Sequence, residues 1–213
     1  MRSLNRPEWP KYKNGKLRNY KNYSSFLKYL FKYFGRYCCY CEIRARSLDV
    51  EHISPKSLNS TYICNWFNLL IACPTCNRDY KKNKNASRGG LVWPDDSDTF
   101  DMFVYHDDGS MTVNSSLHSR VQICAQNTID LMHLNPQNDE NNDICNIRRE
   151  QWDIANDLLA DYEQKVLSID RIVKNVVANG YWSVWMTVFK DHPEVTKKIA
   201  DAFPGTLPKY CTP

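Results

Sequence analysis

The chain reads as an α+β fold: a strand–strand–helix unit stapled by cysteines, then a β-hairpin, then a mostly helical carboxy-terminal half. Three observations predict it. Cys38-x2-Cys41 and Cys73-x2-Cys76 are two pairs at metal-ligand spacing, and together they supply four soft thiolates, enough to close a tetrahedral zinc site without a water ligand. Between them, residues 48–53 alternate apolar and polar at their start, as a half-buried strand does, and residues 69–72 form a short apolar run. Beyond residue 116 the apolar residues fall at helical spacings.

Taken in order, residues 1–21 are rich in Pro, Asn, Lys and Tyr without a period and are expected to form an extended arm. Phe26, Leu27, Leu30, Phe31 and Phe34 then predict a helix over 24–34, closed by Gly35 as a carboxy-terminal cap. This basic segment, 1–36, precedes a zinc-stapled core over 37–90. Within the core Pro55 ends the first strand, and Pro74 suits the first turn of a helix carrying Cys76, Asn77 and Lys81 to about Lys84. Ser87-Arg88-Gly89-Gly90 breaks that helix. A hairpin is expected over 91–116, with Asp107-Asp108-Gly109 turning between strands at 102–105 and 111–113. The region 117–213 should hold a helix at 121–134, ended by Asn135-Pro136, and one long helix over about 143–178 with Gly180 after it. Short helices at 182–189 and 193–203 complete it.

A hydrophobic share of 42%, with 13% aromatic residues, suffices for a core and excludes a wholly disordered chain. The mean hydropathy is −0.60, and no run approaches the roughly 18–20 apolar residues of a membrane helix, so a soluble protein is expected. No apolar stretch follows the charges of residues 1–7, so no secretory signal is expected and the cytoplasm is the expected compartment. Nine cysteines in a reducing compartment argue for metal rather than disulfides. Cys39, Cys64, Cys124, Cys145 and Cys211 lie outside ligand spacing and read as small buried hydrophobes. Cys39 sits inside the first pair and could substitute for a ligand, but Cys38 and Cys41 have the better spacing.

The net charge of +4 is unevenly placed. Through Arg46 there are twelve basic residues against Glu8 and Glu42, interleaved with Trp9, Tyr12, Tyr20, Tyr23, Tyr29 and Tyr33. Such a field attracts polyphosphate, and the aromatics can stack on bases. From Asp139 to Glu163 eight acids face Arg148 and Arg149, and this stretch is expected to face a protein rather than a phosphate backbone.

Phosphodiester hydrolysis needs a base for water, a cation beside the phosphate and stabilisation of the leaving oxygen. His52 is the natural base, since an imidazole takes a proton from water near neutral pH. On the helix, Asn77, Lys81 and Lys84 recur at four and three residues and form a stripe facing phosphate, with Arg78 and Lys82 beside it as further nucleic-acid-binding residues.

Asp49-Val50-Glu51-His52-Ile53-Ser54-Pro55, Asn65-Trp66-Phe67-Asn68-Leu69-Leu70 and Cys73-Pro74-Thr75-Cys76-Asn77-Arg78 together resemble the HNH endonuclease family over roughly residues 37–85. The likeness implies a ββα-metal core. It aligns His52 with the general base, Asn68 with the central asparagine that braces the loop carrying the base, and Glu51 with the acidic metal ligand. Asn77 aligns with the final helical ligand, where the family often has histidine. An amide oxygen there favours Mg2+ or Mn2+ over softer metals. Whether Asp49 or Glu51 holds that catalytic metal stays open.

The likeness continues more loosely through Trp93-Pro94, residues 128–135 and Phe203-Pro204-Gly205-Thr206, which are similar to the HNH subunits of Septu-type and retron-associated anti-phage systems. It implies an effector that cleaves nucleic acid, DNA being expected ahead of RNA though both stay open, and that works with an ATPase docked on the surface between about Asp139 and Phe203, where Trp152, Trp182, Trp185 and Phe189 are candidates. The rival expectation is a zinc-stapled nucleic-acid-binding module without catalysis, which leaves Glu51, His52 and Asn77 without a role.

Overall fold

The structure, a computed structural model, describes residues 1–84, 88–96, 98–136 and 143–211. Asp139 and Glu140, at the head of the expected acidic surface, and Ser87 lie outside the described residues. The chain is a mixed α+β fold with small hairpins, a helical carboxy-terminal half and a four-cysteine cluster. Among the described residues no helix is long and apolar enough to cross a membrane.

Asn22 accepts a hydrogen bond from the Ser24 amide at 2.9 Å and so opens a 3-10 turn, Tyr23–Phe26, that runs into α1 (Leu27–Phe34). Phe26, Leu30 and Phe34 fall on one helical face and are fully buried. Gly35, at φ 77, ends the helix as its sequence position predicts.

The expected amino-terminal arm is corrected. Residues 1–4 are buried, and Leu4 bridges Thr206. The Arg2 guanidinium donates to the carbonyls of Phe34 and Pro204 at 2.7 and 2.8 Å, satisfying the end of α1. Arg6 donates to Asp95 and to the carbonyls of Trp66 and Leu69. Two of the twelve basic residues therefore hold the core together and add nothing to a surface field.

β1 (Asp49–His52) pairs antiparallel with β2 (Leu69–Ala72), Glu51 opposite Leu70 and His52 opposite Leu69. β2 is buried throughout, and α1 packs against it. The second hairpin joins β3 (Phe103–Tyr105) to β4 (Met111–Val113) close to the expected bounds.

Five helices follow: α2 (Ser119–Met132), α3 (Ile144–Glu163), α4 (Ile169–Asn179), α5 (Trp182–Val188) and α6 (Pro193–Ala202). The single long helix expected over 143–178 is corrected to α3 and α4. Lys165 turns the chain left-handed at φ 62, and Ser168 starts the next helix. The docking candidates are corrected as well: Trp182, Trp185 and Phe189 are fully buried and belong to the same core as α1 and the β1–β2 hairpin. Trp152 is partly buried against that core.

Candidate metal centre and adjoining cleft

Cys38, Cys41, Cys73 and Cys76 converge, their sulfurs all within 4.8 Å of one another. The Cys41 and Cys73 sulfurs lie 3.7 Å apart. A tetrahedral zinc with Zn–S bonds of about 2.3 Å has a sulfur–sulfur edge of about 3.8 Å, so the donor set fits a structural zinc.

Local turns build this geometry. The Glu42 amide donates to the Cys38 carbonyl while Glu42 itself takes φ 66, a tight reversal that brings Cys41 back beside Cys38. On the other side the Cys76 amide donates to the Cys73 sulfur at 3.4 Å. Hydrogen bonds from the Cys38, Cys41 and Cys76 thiols hold the Cys73 thiol well below its ordinary range. Cys39 is no ligand: it is buried outside the cluster, and burial pushes its thiol up to about 12.

Beside the cluster lies a cleft of about 690 Å³ whose lining includes Asp49, Glu51, His52, Asn77, Arg78 and Lys82, together with Tyr23 and Lys56. Asn68 organises one wall. Its Oδ1 accepts from the Ser54 amide at 2.7 Å, and its Nδ2 donates to the carbonyls of Ser54 at 3.0 Å and Tyr62 at 3.2 Å. An aspartate could not donate either of the last two bonds. The loop after β1 is thereby pinned, and its Ile63 carbonyl meets His52 Nε2 at 3.0 Å. A carbonyl only accepts, so Nε2 carries the proton and Nδ1 keeps the lone pair. Burial lowers the His52 pKa from its ordinary value, against the pull of that carbonyl. The Tyr23 ring stands edge-on to the imidazole with centroids 4.7 Å apart.

One expectation is corrected here. Lys81 does not face solvent: it is 1% exposed, and its ammonium pairs with Glu51 Oε1 at 2.8 Å and donates to the His52 carbonyl. The cause is the helix itself, a π-helix over Thr75–Lys81 in which the Lys82 amide reaches the Asn77 carbonyl five residues back. It stops at Lys82, φ 49, before the expected end at Lys84, so the Asn77–Lys81–Lys84 stripe does not form. Glu51, which the likeness aligns with the acidic metal ligand, is the buried partner of the Lys81 ammonium. Its carboxylate is buried, held by Lys81 and by the Tyr40 hydroxyl at 3.3 Å, and burial pushes its pKa up to about 7.

Asn77 instead lies beside Asp49, its Nδ2 donating to Oδ2 at 3.3 Å. Arg78 clasps the same carboxylate through two hydrogen bonds of 2.8 Å while leaving most of its own side chain exposed. Lys82 is exposed on the cleft, and Lys84 is exposed but not among its lining. Among the described residues, the four cysteines are the one group of three or more His, Cys, Asp or Glu whose ligand atoms converge.

Sequence reasoning missed Lys56 and Tyr40, and it named Tyr23 only as one of the aromatics of the basic segment and not as a neighbour of His52. Tyr23 and Tyr40 come from segments with no spacing relation to His52, while Lys56 follows Pro55 directly and could have been read as a cation near the base. The Lys56 ammonium donates to the Tyr23 hydroxyl at 3.1 Å. Comparison of the chain with protein-family models and with curated proteins finds no match.

Proposed function

We propose that the chain is a metal-dependent endonuclease of the HNH type, hydrolysing phosphodiester bonds, with DNA as the expected substrate. The observation that carries this reading is the His52 imidazole, oriented by the Ile63 carbonyl on a loop that Asn68 pins, at the wall of a cleft bearing Lys56, Arg78 and Lys82. His52 Nδ1 takes a proton from water, the water oxygen bonds to phosphorus, and the bond to the leaving sugar oxygen breaks. Arg78 and Lys82 hold the substrate phosphate, Arg78 as a two-pronged fork and Lys82 as a point charge.

Mg2+ or Mn2+, when bound, supplies charge neutralisation at the phosphate and the leaving oxygen. Asp49 and Asn77 are the residues that would hold it. Seating a cation at Asp49 displaces the exposed Arg78, whereas seating it at Glu51 strands the buried Lys81 ammonium, at a cost of several kcal/mol. Asp49→Asn should therefore weaken Mn2+ binding about ten-fold or more, and Glu51→Gln much less; calorimetric titration with the reverse order would return the ligand role to Glu51.

The rival reading, a non-catalytic zinc-stapled nucleic-acid-binding module, has one observation in its favour. Both strand acids are already neutralised by protein cations, Asp49 by Arg78 and Glu51 by Lys81. One experiment decides between them. Plasmid DNA and transfer RNA are incubated with the chain and Mg2+ or Mn2+, alongside His52→Ala. The nuclease reading expects cleavage by the wild type and a loss of about two to four orders of magnitude in the variant, with zinc content unchanged. Equal cleavage by both sinks it. The anti-phage setting and an ATPase partner are part of the same proposal; their support is the likeness of residues 128–135 and 203–206, since the aromatic residues suggested for docking are largely core.

A further inference from the structure

We propose that a cleft lined by Arg36, Arg44 and Arg46 is a second seat for the phosphate backbone of the polynucleotide that enters the His52 cleft; the inference rests on the nuclease reading and extends it. The cleft measures about 550 Å³ and is completed by Ala45 and Ala178. All three arginines are exposed. Among the described residues none of their guanidiniums meets a carboxylate or a hydrogen-bond acceptor, in contrast to Arg2, Arg6, Arg78 and Arg88, each held by protein oxygens.

The cluster is built into the backbone rather than scattered on it. Tyr37 bridges Arg44, the Ala45 amide donates to the Arg36 carbonyl at 3.4 Å, and the Arg44 amide donates to the Asn179 carbonyl at 3.3 Å. The Arg36 guanidinium lies over the Phe31 ring at 4.2 Å, which fixes its direction without using its donors. Three unneutralised forks in one concavity repel each other and are relieved by a polyanion, whose phosphate oxygens match the guanidinium geometry.

Position favours a polynucleotide over an acidic protein. Leu48 and Asp49, which line the His52 cleft, follow Arg46 by two and three residues, so Arg46 and Leu48 lie within about 7 Å along the chain. On α1, Leu27 lines the His52 cleft, and Phe31, one turn further along, carries Arg36. The nearby acids do not oppose the path: Asp49 is countered by Arg78 until a bound cation takes that place, and Glu42 is buried against Ser183. One strand can thus run from Lys56, Arg78 and Lys82 past α1 onto the three arginines.

The test measures binding of labelled single-stranded and duplex DNA of about 20 nucleotides to the full chain in a His52→Ala background, as a function of salt. The expected result for Arg36→Gln/Arg44→Gln/Arg46→Gln is an affinity lower by about ten-fold or more at low salt. The slope of log affinity against log salt should fall by about 2–3, since each phosphate contact contributes about 0.7–0.9. The corresponding triple lysine variant should keep most of the slope. Lys165→Gln/Lys190→Gln/Lys198→Gln removes the same charge from exposed positions in the helical half and should lose little. Unchanged DNA binding by the arginine variant overturns the proposal and leaves the cleft to an acidic protein. An equal loss in the Lys165 control set overturns it as a net-charge effect, and inorganic phosphate competing as well as DNA overturns it as a free-anion site. The two readings fail separately. If nothing is cut but the arginine variant still loses binding, the nuclease reading falls and the phosphate seat stands; if cutting depends on His52 and the variant binds normally, the seat alone falls.

Discussion

Asp95 has a side chain 1% exposed and sits between two guanidiniums, with Arg6 Nε at 2.5 Å and Arg88 Nη2 at 2.7 Å. Burial alone would raise its pKa, but the charges of Arg6 and Arg88 outweigh burial and hold it below the usual carboxylate range. A folded pKa below the unfolded value, about 3.9, means stability that is fully present above that value and lost as pH falls through the folded pKa. Asp95→Asn removes this contribution and strands the buried Arg6, at a cost of about 3–5 kcal/mol near neutral pH. Urea denaturation should find the gap between variant and wild type narrowing as pH falls below the unfolded value; a gap that stays constant would mean that the pair's charge does not matter. Nothing in the sequence announces Arg6, Arg88 and Asp95 as partners, because 89 residues separate Arg6 from Asp95. The place of His52 at the end of a strand was legible from local alternation, whereas Asn68 as the brace of the loop behind it came from the family resemblance and not from spacing. Lys81 was misread because helical spacing gives a face but not which face is buried.

At the scale of elements, most of the hairpins and helices followed from period and turn residues, and the failures have specific causes. The α3–α4 break was written in Ser168-Ile169-Asp170, a cap residue followed by an acid in the first turn, but the apolar spacing on either side masked it. The amino-terminal segment was read as an extended arm because it has no period, whereas its arginines find carbonyl partners at the end of α1 and at the start of β2. The β3–β4 turn gives a sharper case. Gly109, at φ 81, brings the turn so close to α3 that a Cβ would stand 1.8 Å from the Cys145 carbonyl oxygen and 2.8 Å from the Arg149 amide. Gly15, at φ 80, has nothing within 4 Å of the same atom. Left-handed backbone alone costs an L-residue about 1–2 kcal/mol, so Gly15→Ala should cost about that much. Gly109→Ala must also push the hairpin off α3 and should cost clearly more, above about 2 kcal/mol. Chemical denaturation of the two variants compares them directly, and equal losses would mean that the turn does not pack on the helix.

For the whole molecule, the question is how far the cysteine cluster reaches. Glu42 follows Cys41 immediately and is bonded to the start of α5: its carboxylate accepts from the Ser183 amide at 2.8 Å and the Ser183 hydroxyl at 2.6 Å, and its carbonyl accepts from the Tyr181 amide at 3.1 Å. Ile43 bridges Gly180 just before that helix. On the other side of the cluster, Tyr80 of the π-helix stacks on His133 at the end of α2, ring centroids 4.6 Å apart. The first cysteine pair is thus wired to the helical half through backbone and buried polar bonds, and the second through a ring stack. Binding of a structural zinc contributes about 10–16 kcal/mol, whereas a folded domain is stable by only about 5–15 kcal/mol, so losing the metal removes an amount comparable to the entire stability. The expected outcome is one zinc per chain by elemental analysis and, on titration with a strong chelator, a single transition. Far-ultraviolet helical signal and the fluorescence of the buried Trp182 and Trp185 should vanish together with the metal. Cys73→Ser should reproduce the loss without a chelator, because three thiolates no longer close the tetrahedron. Helical signal that survives after the zinc has gone would mean that α2–α6 fold by themselves, and that the bonds from Glu42 to α5 follow the fold rather than transmit the metal's hold on it.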